Sequence, residues 1–349
     1  MLEKIDYLAD VNSNFITYRE IKMILRTQEE IMKDWSENSK PLVSISCITY
    51  NHAPYIRQCL DGFLMQKTTF PFEILIHDDA SPDGTADIIR EYEKKYPLLI
   101  KPIYQTENQY SQGKTSVSAT WNFLRAKGKY IALCEGDDYW IDENKLQMQV
   151  DFLEKNPEYG MCYTRAKQFV QNIQKFSRML FGKNVKDFED LLFNGNRIPT
   201  LTTVFKKDLL DNYLKDIYPQ DKGWLMGDYP MWLYFAHESK VKFIDKVTSV
   251  YRVLENSASH SDDVEKMMMF RKSGYEIRKS FAGKYNVQIS SYDENYELFR
   301  VYRNWFSVDK SYKTLLSLRK TYRSLKNPRR KDKIIYFLTF CYPLARVLL

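Results

Sequence analysis

Apolar positions follow two rhythms along this chain. Between residues 41 and 166, short and nearly continuous apolar runs alternate with stretches of helical period. VSISCITYN (43–51), FEILIHDD (72–79), IKPIYQ (100–105), KYIALCEGDD (129–138) and GMCYTRA (160–166) have strand length and are rich in β-branched or aromatic residues. Helical periods lie between them at Tyr55–Gln66, Thr85–Lys95, Ser116–Lys127 and Lys145–Glu154. Strands that are apolar on both faces and alternate with helices predict a mainly parallel α/β sheet covered on both sides.

The flanks read differently. Ile21, Ile24, Leu25, Ile31, Met32 and Trp35 recur near the helical period, so residues 1–40 are expected to form a helical preface that packs on the body or mediates a homodimer. Residues 41–260 form the expected central domain. Its later part holds a strand in PTLTTVFKK (199–207), a helix in DYPMWLYFAHES (228–239) and one or two strands in KVKFIDKVTSVYRV (240–253). Residues 261–349 read as a helical extension, with breaks near Gly283–Ser291 and Asn327–Pro328.

Composition narrows the class. A chain of 349 residues with 44% hydrophobic residues is globular. Its five cysteines are far apart and form no C-x-x-C pair, the usage of reduced core thiols in a cytoplasmic protein. The opening residues have no apolar leader segment, and no uncharged apolar stretch reaches spanning length. The net charge of +7 is uneven. Residues 300–349 carry thirteen Lys/Arg against two Asp/Glu, or +11, which leaves −4 for the rest. Such asymmetry points to a tail that meets an anionic surface.

In an open α/β sheet, ligands bind beyond the carboxyl ends of the strands. Thr49-Tyr50-Asn51-His52 follows the first strand, Asp78-Asp79-Ala80-Ser81-Pro82-Asp83-Gly84-Thr85 the second, and Glu135-Gly136-Asp137-Asp138 the fourth. The three clusters should converge on one crevice. Crowded carboxylates repel unless a cation sits between them, and a hard divalent ion with oxygen ligands answers that need. Taken singly, DDASPDGT also reads as a cap and turn, and EGDD as an acidic loop tip. Phosphate-binding glycine motifs of the P-loop and dinucleotide types are absent, and no two histidines have zinc spacing.

These motifs carry a resemblance. ISCITYNHAPYIRQCLDGFLMQ, EILIHDDASPDGTADIIREY and GKYIALCEGDDYWIDENKLQMQVDFLEKNP resemble, in order and spacing, the family-2 glycosyltransferases of the GT-A fold, with weaker similarity through residues 227–259. The resemblance implies an inverting transferase that uses a nucleoside-diphosphate sugar, with UDP favoured, and Mn²⁺ or Mg²⁺. Thr49, Tyr50 and Asn51 match the loop near the base, and Asp78 and Asp79 the acidic pair that contacts the nucleoside. Glu135, Gly136, Asp137 and Asp138 match the D-x-D-D region that holds diphosphate and metal, with glutamate in the first position. Asp137 and Asp138 are the expected metal ligands. Asp228 in GDYPMW matches the general base, although a helix cap is its plain reading. Arg252 is expected near the donor. His260 is expected near the metal, because the relatives' histidine position is Leu254 here. Trp140 and Trp224 are candidates for stacking on sugar, and Thr202 and Thr203 for facing the acceptor.

The acceptor expected from the resemblance is a glycan or lipid-linked glycan of surface polysaccharide synthesis. KNPRRKDK (326–333) followed by IIYFLTFCYPLARVLL (334–349) suits a segment lying on an anionic membrane, which would place the protein at the inner face of the cell membrane. Two other readings stand beside this one. An inactive sugar-nucleotide-binding partner subunit would need these carboxylates less. A nucleic-acid-binding protein would use the basic tail but leaves the acidic crevice unexplained, so no nucleic acid is expected.

Overall fold

The computed structural model describes residues 15–17, 25–36, 39–114, 117–254, 263–326 and 328–348. The chain divides into two compact units, residues 1–254 and 255–349. The sequence boundary at 260 falls between the described residues 254 and 263.

The preface contains a strand as well as a helix: β1 (Phe15–Thr17) precedes α1 (Gln28–Met32). Thr27 and Glu30 form a reciprocal capping box, which starts this helix at Gln28, and the helical positions expected at Ile21 and Ile24 lie outside the described residues. Ile31 is buried in the main core, with Leu25, Met32 and Trp35 packed beside it. The Trp35 ring meets Phe72 edge-on at 5.1 Å, and its Nε1 donates to Thr68 O at 3.2 Å. Residues 25–35 therefore belong to the body of the first unit.

Next come β2 (Val43–Thr49), α2 (Ile56–Leu64), β3 (Phe72–Asp78), α3 (Thr85–Lys95) and β4 (Ile100–Tyr104). They are followed by α4 (Val117–Thr120), α5 (Asn122–Arg125), β5 (Tyr130–Leu133), β6 (Tyr139–Trp140), α6 (Lys145–Lys155) and β7 (Tyr159–Val170). The unit ends with β8 (Lys175–Phe181), α7 (Phe188–Asn194), β9 (Val204–Lys206), α8 (Lys207–Ile217), α9 (Asp228–Glu238) and β10 (Lys240–Val253). The strands form one 10-stranded sheet. Its parallel block runs β4-β3-β2-β5, as the apolar runs predict. Beyond β5 the sheet is mixed: β9 is antiparallel to β5 and β7, and β8 and β1 continue antiparallel. The long β10 runs parallel to β7 and antiparallel to β6.

β2 and β3 are buried almost throughout, which is why they lack the alternation of a half-exposed strand. Ile45, Cys47, Ile74 and Ile76 fill the core with Leu60 and Phe63 of α2. Each such side chain contributes about 1.5–3 kcal/mol by leaving water.

Two elements depart from the expected ones. The helix expected over Ser116–Lys127 is two single turns, broken at Trp121. Asn122 is fully buried and donates to Cys47 O at 3.0 Å and Leu75 O at 3.2 Å, which ties the segment to β2 and β3. The strand expected over 199–207 shrinks to Val204–Lys206. The hydroxyls of Thr202 and Thr203 bond back to the carbonyls of Pro199 and Thr200, both at 2.8 Å, and stabilise a 3₁₀ turn instead.

The second unit is helical, as expected: α10 (Val264–Lys284), α11 (Glu294–Asp309), α12 (Tyr312–Arg323), α13 (Arg330–Leu338) and α14 (Tyr342–Leu348). Asp263, Asp293 and Ser311 cap the first three. Phe299, Phe306, Leu315, Leu318 and Ala345 form its apolar core. Among the described residues no helix is long and apolar enough to cross a membrane.

Candidate active site

The loops after β2 and β3 are stitched together by side chains that accept from main-chain amides. Asn51 has φ 57°, a left-handed conformation that asparagine tolerates better than most residues. Its amide donates to Ser81 Oγ at 3.0 Å. The amides of His52 and Ala53 donate to Thr85 Oγ1 at 2.9 Å and Asp83 Oδ2 at 3.0 Å. Burial alone would raise the Asp83 carboxyl, but hydrogen bonds from Thr85 and Ala53 outweigh it and hold Asp83 below the usual range. Thr49 is buried, whereas Tyr50 and Asn51 are exposed at the mouth.

The two carboxylates of the β3 loop have different duties. Asp78 is buried and accepts from the Ser81 hydroxyl at 2.6 Å and the Ser81 amide at 3.2 Å. Burial pushes its carboxyl up, and the Ser81 bonds only partly offset this. Asp79 accepts from the amides of Gln109 at 2.8 Å and Tyr110 at 3.0 Å, one on each oxygen. It clasps the loop after β4 into the wall of the crevice.

The third loop follows β5. The carboxylates of Glu135, Asp137 and Asp138 place oxygens within 4.8 Å of one another. Gly136 makes this possible. A Cβ there would lie 2.6 Å from Thr49 Oγ1 and 2.9 Å from His52 Nδ1, so any side chain would push the acidic loop off the end of β2. Glu135 keeps access to solvent, but the crevice walls desolvate it. That desolvation, with repulsion from Asp137 and Asp228, raises its carboxyl. Asp138 is buried, and desolvation followed by repulsion from Asp137 and Glu135 raises it strongly. Asp137 Oδ1 is buried and has no hydrogen-bond partner among the described residues. His52 Nε2 lies 4.0 Å from Asp137 Oδ2, and burial lowers its pKa despite Asp137. Three converging carboxylates, one with an orphaned oxygen, fit a hard divalent cation.

Arg252 stands behind this loop. It is 6% exposed. Its amide donates to Asp138 Oδ1 at 2.7 Å and its Nε to Asp137 O at 2.8 Å. Nη1 and Nη2 reach Gln171 Oε1 and Gln58 Oε1, both at 2.6 Å. Tyr55 takes the guanidinium on its face at 4.7 Å. These contacts tie the side chain to the acidic loop.

Asp228 opens α9, with Gly227 as the cap, so the aspartate is not itself the N-cap. Its Oδ2 accepts from Asn196 Nδ2 at 2.9 Å and Thr200 Oγ1 at 2.8 Å. Its charge is one of the causes that raise the Glu135 carboxyl, after burial and Asp137, so the two are near neighbours. Asn196 and Thr200 are functional candidates that sequence reasoning missed. They lie 32 and 28 residues away, and nothing in their spacing marks them. Thr202 and Thr203 are buried and do not face an acceptor. Trp140 is buried too: its Nε1 donates to Leu201 O at 2.8 Å and its ring carries Lys145 Nζ at 4.1 Å, so it cannot stack on a sugar. Trp224 is half-buried. His260 lies outside the described residues.

Comparison with known proteins agrees with this geometry. The model of glycosyl transferase family 2 matches residues 44–214. An uncharacterized protein from Mycobacterium tuberculosis is 33% identical over 239 residues, covering 67% of this chain and 65% of its own length, so the chain spans just under two-thirds of that relative. A putative teichuronic acid biosynthesis glycosyltransferase from Bacillus subtilis is 36% identical over 157 residues, covering 45% of this chain and 59% of its own. A mannosyltransferase from Pyrobaculum calidifontis, solved with GDP-Man and Mn²⁺, superposes with TM-score 0.52 at 16% identity over 89% of this chain and 87% of its own, a likeness of fold. The α/β sheet is therefore of the GT-A type, and the chain belongs to glycosyl transferase family 2.

Proposed function

We propose that the chain is an inverting glycosyltransferase that moves a sugar from a nucleoside-diphosphate donor, UDP-linked in the favoured reading, to a glycan or lipid-linked glycan acceptor. The observation that carries this is the convergence of Glu135, Asp137 and Asp138 within 4.8 Å of one another, with Asp228 near enough for its charge to raise the Glu135 carboxyl. A transferase needs both poles: a site for the departing diphosphate and a base for the incoming hydroxyl.

In this reading Thr49, Tyr50, Asn51 and Asp78 line the nucleoside end. Asp79 acts there through the wall it clasps. Asp137 and Asp138 hold Mn²⁺ or Mg²⁺, with Glu135 and Gly136 beside the diphosphate. The cation, when bound, offsets charge on the diphosphate leaving group. Asp228 accepts the acceptor hydroxyl's proton, and Asn196 and Thr200 keep its Oδ2 oriented for that transfer. The relation to a teichuronic acid transferase supports an acceptor in surface polysaccharide synthesis.

Calorimetric titration of UDP, GDP and dTDP, each with and without Mn²⁺, tests the donor end. One nucleotide should bind only with Mn²⁺, and binding should vanish when Asp137→Ala and Asp138→Ala are combined. Asp228→Asn should keep that binding and lose transfer by roughly a thousandfold or more. Metal-independent binding, or transfer that survives in Asp228→Asn, contradicts the assignment.

A further inference from the structure

We propose that α13 and α14 form a docking surface for an anionic lipid bilayer and lie along it rather than across it. The inference rests on the second unit alone and not on the transferase reading.

The pair has one anchored and one unpartnered face. Ile335, Tyr342 and Ala345 pack on the core of α11 and α12. Tyr336 stacks on Tyr322 with ring centroids 4.1 Å apart, and Tyr342 Oη donates to Lys310 O at 2.7 Å. Arg319 bonds both the hydroxyl and the carbonyl of Thr339 in the turn between the helices. These contacts fix which side faces out. The outward side shows Ile334, Phe337, Phe340, Leu344, Val347 and Leu348, with Phe337 72% and Val347 79% exposed. Isolated apolar residues on a surface are ordinary, but a run at this spacing over two successive helices is a patch.

Charge selects the occupant. Arg330, Lys331, Lys333 and Arg346 are exposed on the same two helices. From Lys310 to Leu349 the one acidic residue is Asp332. It is buried and accepts from the Arg329 amide at 3.0 Å, so it offers no counter-charge at the surface. An apolar stripe flanked by cations and free of exposed carboxylates complements a bilayer whose headgroups are anionic and whose interior is apolar. A nucleic acid would match the cations but leave the phenylalanines in water. The helices have nine and seven residues, or about 14 and about 10 Å, against a hydrocarbon core of about 30 Å. They reach into the interface and no further.

The test is flotation of the full chain with phosphatidylcholine vesicles, with and without phosphatidylglycerol, at low and high salt. The chain should float with the anionic vesicles and release partly at high salt. Phe337→Ser combined with Val347→Ser should lower partitioning by roughly tenfold or more, with circular dichroism unchanged. Lys331→Gln with Lys333→Gln alters only exposed charges, so it is the safer variant for folding, and it should also lower partitioning by roughly tenfold. A folded chain that stays with the soluble fraction overturns the proposal. So does vesicle binding that survives both double variants. Concentration-dependent dimerisation lost in Phe337→Ser, or salt-sensitive oligonucleotide binding, in either case without flotation, assigns the face to a second copy or to nucleic acid and likewise overturns it.

Discussion

The main-chain amide of Arg252 donates to Asp138 Oδ1 at 2.7 Å, across 114 residues of sequence. The guanidinium meanwhile spans Asp137 O, Gln58 and Gln171. Truncation by Arg252→Ala should cost about 2–4 kcal/mol, since it strips buried acceptors of their donor. Urea unfolding reads this directly, and nucleotide binding should weaken with it. Asp138→Asn is the contrasting variant: it keeps an acceptor for the Arg252 amide, so it should retain stability while losing metal-dependent binding. Wild-type stability in Arg252→Ala would remove the lock from the account.

Gly136→Ala tests the close approach of two loops. The added Cβ would lie 2.6 Å from Thr49 Oγ1 and 2.8 Å from Thr49 Cβ. Relief requires the loop or the end of β2 to move, at about 1–3 kcal/mol. Metal-dependent nucleotide binding should fall far more than the melting temperature. Adding Thr49→Ala removes Oγ1 but leaves Cβ, so it should restore only part of the binding. Binding by Gly136→Ala at wild-type affinity would show that the loop has room to spare.

Asn196→Ala and Thr200→Ala each delete one donor to Asp228 Oδ2. The expected result is a loss of transfer rate of roughly tenfold each, with donor affinity unchanged. Steady-state kinetics with the donor varied would separate the two quantities. A rise in the donor KM with kcat intact would place these residues at the donor instead.

His77 supplies a pH signature. It is buried on β3, its ring stacks on Trp121 at 5.7 Å, and its Nε2 lies 3.0 Å from Gln105 Nε2. Burial lowers its pKa from 6.5 to about 4, Asp79 opposing and Arg125 assisting. The unfolded chain binds this proton below about pH 6.5 and the folded chain only below about pH 4. The contribution is therefore full above pH 6.5 and is lost as the pH falls towards 4, with about 2 kcal/mol gone between pH 7 and pH 5. His77→Gln should remove that part of the slope in urea midpoints taken across this range. Parallel slopes for the two proteins would reassign the effect to other groups.

The parallel half of the fold was legible because β2, β3 and β5 are buried on both faces and their apolar runs have no competing period. The acidic loops were legible because carboxylates cluster at two matched strand ends, a coincidence that the cap-and-turn reading of either loop alone leaves unexplained. What escaped depends on distance in sequence. The contacts of Arg252 with Gln58 and Gln171, 194 and 81 residues away, have no signature in the sequence. Asn196 and Thr200 look like ordinary turn residues until α9 brings Asp228 to them. Thr202 and Thr203 sit in a β-rich string, yet their hydroxyls satisfy their own turn. Trp140 shows the same limit, because a sequence does not reveal which side of a short strand faces the core.

The span of the Arg252 lock also orders events in time. The block β4-β3-β2-β5 closes with contacts made by residues up to 133. The loop beyond it waits for Ser249 and Val250 to pair with β6 and for Arg252 to arrive. During synthesis the parallel block and the seat of Gly136 on the end of β2 can form first, and the donors that Arg252 brings to Asp138 and Asp137 O are added only when the last strand of the unit is in place.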